Sequence, residues 1–216
     1  MPAAAPPIAP LSLPPVVPVG RRLFRLGAVV GLAYGPMLLW HGFSLSGLGG
    51  WSVRGVELFL LVPLVGMGLL VVALPLASFA ATRERSVACS LVGATLVLAF
   101  VPCLWLGTKA RMVAFRWAGE RAAPLVAAIE RHVVETGRPP ARLQDLVPRW
   151  LDRLPARVPE LTIEHEAFGN PWILQASVPS GVLNWDQFFY FPNQDYPARG
   201  YGGSWQRLGR WAYLHE

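Results

Sequence analysis

Residues 105–137 read "WLGTKARMVAFRWAGERAAPLVAAIERHVVETG", and the fold turns on whether this stretch is one element or two. Its first residues close a long apolar run, and its last belong to a water-soluble pattern. Between Lys109 and Thr136 apolar residues recur at helical spacing, Val113 and Trp117 and then Leu125, Ala128, Ile129 and Val133. Arg116, Glu120, Arg131 and Glu135 lie elsewhere around the barrel. A membrane helix is therefore expected to run on into an amphipathic one. Pro124 either kinks it or opens a second helix at its first turn, and Gly137 is placed to stop it as the residue after the cap.

Upstream, three segments meet the requirement of about 20 apolar residues for crossing about 30 Å of hydrocarbon: residues 23–43, 56–81 and 87–106. Backbone polar groups in lipid must be satisfied within the segment, so each is expected to be a helix. Together they make a transmembrane domain over residues 21–108. Pro36, Pro63, Pro75 and Pro102 are expected to kink them. Residues 1–20 hold seven prolines and no charged side chain, the composition of an extended, disordered tail. The cluster Arg21, Arg22, Arg25 faintly resembles a twin-Arg export signal, but two further apolar segments follow it.

Downstream, residues 109–216 form a second domain. Pro139 and Pro140 end the helix. Residues 142–147 make a short turn with Leu143, Leu146 and Val147 inward, and Pro148 opens another carrying Trp150, Leu151 and Leu154. Strand-like runs follow at 161–166, 172–178, 187–191 and 209–214, separated by "FGNP", "VPSG" and "PARGYGG". The expected architecture is three transmembrane helices plus a small α+β C-terminal domain, a long helix packed on an antiparallel sheet of three or four strands.

Composition agrees with this division. The chain is 53% hydrophobic and 15% charged, and residues 109–216 hold 13 of the 19 basic and 11 of the 13 acidic residues. The net charge of +6 thus splits into 6 − 2 = +4 for the spans and 13 − 11 = +2 for the head. Basic residues in the head alternate with acids instead of forming a stripe, so nucleic acid is not an expected partner. Arg21, Arg22 and Arg25 flank the first span, and Arg83 and Arg85 precede the third, against Arg54 alone in the first connecting loop. That bias places the N-terminus in the cytoplasm and the head in the periplasm of a bacterial inner membrane. Lys109, Arg111 and Arg116 pull the other way. Cys89 and Cys103 lie 14 residues apart in one helix, about 21 Å at 1.5 Å per residue, too far to pair with each other.

The run "LVAAIERHVVETGRPPARLQDLVPRWLDRLP" (residues 125–155), after a helix that leaves the membrane and before an aromatic sheet, resembles the heads of type II secretion pseudopilins and type IV pilins. Ile129, Gly137, Pro140, Leu143, Leu146, Val147, Pro148, Leu151 and Pro155 carry the likeness, which covers about residues 105–216. The resemblance implies a pilin-like fold and weakly constrains function. Pilins place one membrane helix behind a short processed leader; three spans precede this head, so assembly into a pilus fibre is not expected. Major pseudopilins hold calcium in an acidic C-terminal loop. Asp186 and Asp195, with Asn184 and Asn193 near, offer two carboxylates where calcium takes six to eight oxygens, and no metal or cofactor is expected.

Other candidates divide between functional and plain readings. Gly27, Gly31 and Gly35 form a doubled G-x-x-x-G on one face of the first span, for dimerisation, for docking to a larger complex, or for packing on the chain's other spans. Glu57 is the one carboxylate expected within a span, and Arg54 lies three residues earlier on the same face. The pair reads as an interfacial ion pair, or alternatively as part of a proton path in a transport complex. Glu164 and Glu166 share one face of a strand and His165 the other, a solvated face more than a metal site. No G-x-S-x-G, H-E-x-x-H, P-loop or dinucleotide fingerprint appears, so enzyme activity is not expected. In the aromatic tail, Phe189, Phe191, Tyr196 and Tyr201 are the candidates for an outward surface that binds a partner or a glycan; the alternative is packing beneath the loop 193–205. The expected function is a membrane-anchored accessory or assembly subunit whose head binds another envelope protein. Its partners are lipid, envelope or membrane-complex proteins and a second copy of the chain. A periplasmic glycan- or peptidoglycan-binding module is the alternative.

Overall fold

The computed structural model describes residues 19–52, 56–180, 184–197, 199–200 and 202–216. Helix α1 spans Val19–Ser46, and α2 spans Leu61–Leu76 after a 3-10 turn at Val56–Leu60. Helix α3 spans Arg83–Arg121 and α4 Ala123–Thr136. Three helical stretches, Gly20–Ser46, Leu58–Leu76 and Arg83–Arg121, are long and apolar enough to cross a membrane. The second ends at Leu76, short of the expected residue 81. There Thr82 Oγ1 donates to the Leu76 carbonyl at 2.6 Å and Arg83 Nε to that of Ala77 at 3.4 Å, so side chains close the helix end into a tight turn.

Helix α3 is the rod expected from residues 105–137. Its 39 residues rise about 58 Å at 1.5 Å each, and it passes Lys109 without a break. It stops at Ala122, which caps both α3 and α4. Pro124, with no N–H to donate, sits in the first turn of α4, where that loss is harmless. Gly137 ends α4 in the left-handed region (φ 76°), as the sequence indicated.

The face that α3 buries differs from the expected one. Val113 and Trp117 are 40% and 42% exposed, while Met112, Ala114, Phe115 and Ala118 are buried. Small residues decide this: Gly119 admits the Trp211 indole so closely that a Cβ there would lie 2.6 Å from Cδ1. A periodicity weighted by large apolar side chains therefore points to the wrong face. For α4 the expected face is right, with Leu125, Ala128 and Ile129 buried.

Strands β1 (Thr162–Ala167), β2 (Asn170–Ser177), β3 (Gln187–Tyr190), β4 (Arg199–Gly200), β5 (Gly203–Leu208) and β6 (Trp211–His215) form one sheet in the order β1-β2-β3-β6-β5-β4. All its ladders are antiparallel. The sheet thus exceeds the three or four strands expected. The added pair, β4 and β5, falls partly in "PARGYGG", read as a turn; β5 is an edge-side strand of mixed exposure and carries no clean alternation.

Both faces of the sheet are covered. Trp172, Leu174, Phe188, Tyr190, Trp211 and Tyr213 pack on α3 and α4, joined by Leu143 and Leu146 of a 3-10 turn at Leu143–Leu146. Ile173, Phe189 and Leu214 form a second core with Phe191, roofed by Phe168, Tyr196 and Trp205. Phe188 and Phe189 point to opposite faces, as strand geometry requires, and each meets its own aromatic layer.

Candidate functional site

The densest set of buried polar groups lies where α3 enters the head. Arg111 is 3% exposed. Its Nη2 donates to the carbonyls of Val178 at 2.5 Å and Trp51 at 2.8 Å, and its Nε to the Tyr213 hydroxyl at 3.1 Å. The guanidinium lies 5.0 Å from the Phe115 ring centre and 5.7 Å from that of Tyr213. Tyr213 donates to Asp186 Oδ2 at 2.6 Å, and Asp186 Oδ1 accepts the Glu216 amide at 3.0 Å. A cation from the rod, two loop carbonyls, a strand hydroxyl and a carboxylate are thus linked through one guanidinium.

The chemistry of this set is that of a clamp. A buried guanidinium needs acceptors and a compensating charge; the carbonyls and the Tyr213 hydroxyl satisfy Nη2 and Nε, Nη1 has no partner among the described residues, and Asp186 supplies the charge through Tyr213. Burial, with Asp186 beside it, pushes the Tyr213 phenol up, and Arg111 opposes this. At the end of β6, burial chiefly holds the His215 imidazole below its ordinary range. One helical turn below Arg111, Gly107 admits the ring of His41 from α1, where a Cβ would lie 2.7 Å from Cδ2.

The candidate positions read from the sequence fare unevenly. Phe189 and Phe191 are each 1% exposed, which removes them as a partner surface. The segment after β3 folds back over them: the Tyr196 ring stacks on Phe191 at 4.7 Å, and its hydroxyl accepts the Phe191 amide at 2.8 Å and donates to the Arg210 carbonyl at 2.7 Å. Tyr196 is half-buried, and Tyr201 lies outside the described residues. Asp186 and Asp195 flank opposite ends of β3 and have separate partners, Asp195 accepting from Asn170 Nδ2 at 2.9 Å. They do not converge on one ion. Among the described residues no three His, Cys, Asp or Glu side chains gather as a metal site. His165 Nε2 faces the Pro140 carbonyl at 3.0 Å, and Gln175 donates to Glu164.

In the spans, added Cβ atoms at Gly27, Gly31 and Gly35 would meet no described residue within 4 Å, so this face of α1 is not packed on the described parts of the other spans. The close helix crossing lies elsewhere: a Cβ at Gly66 would sit 2.8 Å from the Gly93 carbonyl, and one at Gly93 2.6 Å from that of Gly66. Arg54 lies outside the described residues, and Glu57 falls in the 3-10 turn before α2, with its side chain likewise outside them. Cys89 and Cys103 are free thiols.

A groove of about 240 Å³ runs beside the α3–α4 break, lined in part by Arg116, Glu120, Tyr190, Arg210 and Trp211. Arg210 donates to Tyr190 and, at 3.3 Å, to Glu130. Burial pushes the Tyr190 phenol up to about 12, with Arg210 opposing it.

Arg111 was legible only as a basic residue after a span. The available signal was its phase: it stands three, four and seven residues before Ala114, Phe115 and Ala118, on the stripe the helix buries. Comparison with family models, curated proteins and solved structures gave no match.

Proposed function

We propose that this protein is a non-enzymatic, membrane-anchored envelope protein, an accessory or assembly subunit whose pilin-like head meets another protein outside the membrane. The observation that carries this reading is the Arg111 clamp. Hydrogen bonds from one residue of the rod to Trp51, Val178 and Tyr213 hold the head at a set height and rotation above the spans. A binding surface on such a head has a defined pose toward a partner, which lowers the ordering cost of association.

The unpacked glycine face of α1 supports an intramembrane contact as well, because close backbone approach replaces the hydrophobic effect in lipid. For the side of the membrane, burial of Arg111 weakens the one opposing signal. Arg21, Arg22, Arg25, Arg83 and Arg85 are exposed at one end of the spans, against exposed Lys109 and Arg116 at the other. This supports a cytoplasmic N-terminus and a periplasmic head in a bacterial inner membrane. The glycan-binding alternative draws on an outward face of Phe189, Phe191, Tyr196 and Tyr201, and loses Phe189 and Phe191 from it with their burial.

The test is crosslinking in intact cells followed by extraction in native lipid discs. A stoichiometric second protein is expected, reduced by Gly31→Leu while the head keeps its near-ultraviolet circular dichroism. Recovery of wild-type monomer alone would overturn the proposal. A reporter fused after Glu216 checks the side independently.

A further inference from the structure

The heights of groups along α3 can be compared directly. The Tyr34 hydroxyl donates to the Leu96 carbonyl at 2.6 Å, and the His41 ring abuts Gly107, so α1 and α3 rise side by side with an offset of about 62 to 66 residues. On that scale Trp40 and Phe43 stand level with Trp105 to Lys109. These side chains are exposed, Trp40 by 45%, Phe43 by 53% and Trp105 by 61%, and Lys109 Nζ lies 5.8 Å from the Trp105 ring centre. An aromatic girdle with a lysine is the signature of a membrane–water boundary. At the other end Arg21 falls level with residues 83–87, beside Arg83 and Arg85, and Arg25 stands about one turn above them. The 109 − 85 = 24 residues between these belts rise about 36 Å, which matches about 30 Å of hydrocarbon with a few ångströms of headgroup at each end.

The head is lowered onto that boundary. Arg111 stands two residues, about 3 Å, above Lys109, and it grips the Val178 carbonyl at 2.5 Å. Val178 in turn donates its amide to the Asp186 carbonyl at 2.9 Å, which sets residues 178 and 186 side by side. Trp185, next to Asp186 and just before β3, is 63% exposed, whereas the large aromatic side chains of the strands are packed in the two cores. Leu48, in the loop after α1, is 72% exposed.

The geometry points to Trp185 as a membrane-contacting residue of the head, seated among the lipid headgroups of the leaflet above which the head stands. An indole suits that layer because its ring prefers the acyl boundary while its N–H finds acceptors among headgroups. The head is then held by two devices, Arg111 from within and Trp185 from the lipid side. Its free surfaces are the sides and the far end near Gly209 and Arg210.

The experiment uses the full chain with Cys89 and Cys103 replaced by alanine, reconstituted in phosphatidylcholine–phosphatidylglycerol vesicles. An environment-sensitive fluorophore is placed by Trp185→Cys, Val134→Cys or Leu98→Cys. Val134, on α4, and Leu98, in the spans, are 86% and 75% exposed. Nitroxide lipids labelled at the headgroup or shallow acyl positions are expected to quench the residue-185 probe at least about twofold. Leu98→Cys should respond to deep labels, and Val134→Cys to aqueous iodide alone. A residue-185 probe that behaves like the one at 134, while the Leu98 probe is quenched by lipid, overturns the inference and leaves the spans intact. The difference in native fluorescence between wild type and Trp185→Phe gives a second reading without cysteine replacement: insensitivity to shallow nitroxides would equally reject it.

Discussion

Gly66 and Gly93 bring two helix backbones together where any side chain would collide, whereas Phe188 lies between Phe115 and Trp211 at ring-centre distances of 5.0 and 4.6 Å. One region coheres by removing side chains and the other by filling space with the largest ones. The surrounding medium explains the difference. Spans in lipid gain little from hiding leucine, so close contact and shape hold them; the head gains by withdrawing aromatic area from water. Leu32, Val71 and Leu98 are accordingly exposed by 82%, 72% and 75%, which would be costly in the head and suits lipid.

That contrast can be broken by substitution. The largest effect is expected from Phe188→Ala, which removes a ring shared by α3, β3 and β6 and should cost the head about 3–5 kcal/mol, measured by denaturant unfolding in detergent. Arg111→Leu should follow at about 3 kcal/mol, since it strands two carbonyls and the Tyr213–Asp186 pair. It should also loosen the head from the spans, visible as protease cleavage near residue 52.

A smaller effect separates the glycines. Gly93→Val should destabilise the α2–α3 contact by about 1–3 kcal/mol in a thermal melt. Gly31→Val should leave the isolated monomer within about 0.5 kcal/mol, because no described residue lies against it. Equal losses at the two positions would erase the distinction between an occupied and an open glycine face.

The finest test is alkaline. Burial raises the Tyr190 phenol to about 12 and pushes those of Tyr196 and Tyr213 up as well. The unfolded chain ionises near pH 10, so it releases these protons first. The resulting stability is whole below about pH 10 and lost as pH rises through about 12. Phenolate absorbance followed with unfolding should show the head opening in that window, with Tyr190→Phe blunting the dependence and leaving the spans unchanged.

Much of this molecule could be read from residue order. Long apolar runs fixed three helices, because lipid-length hydrophobicity admits few alternatives. Gly137 marked the end of α4, and Pro124 allowed a kink or a helix start near its beginning, through backbone rules that need no neighbours. Only the tertiary structure decided which face of α3 is buried, because Ala114, Ala118 and Gly119 act by allowing approach, a property of the partner as much as of the residue. It alone showed that Phe189 and Phe191 are roofed, since a strand reveals its two faces but not what will cover them. The role of Arg111 was hidden for the same reason: its acceptors come from residues 51, 178 and 213, and nothing local in a sequence says that such distant groups will meet around one charge.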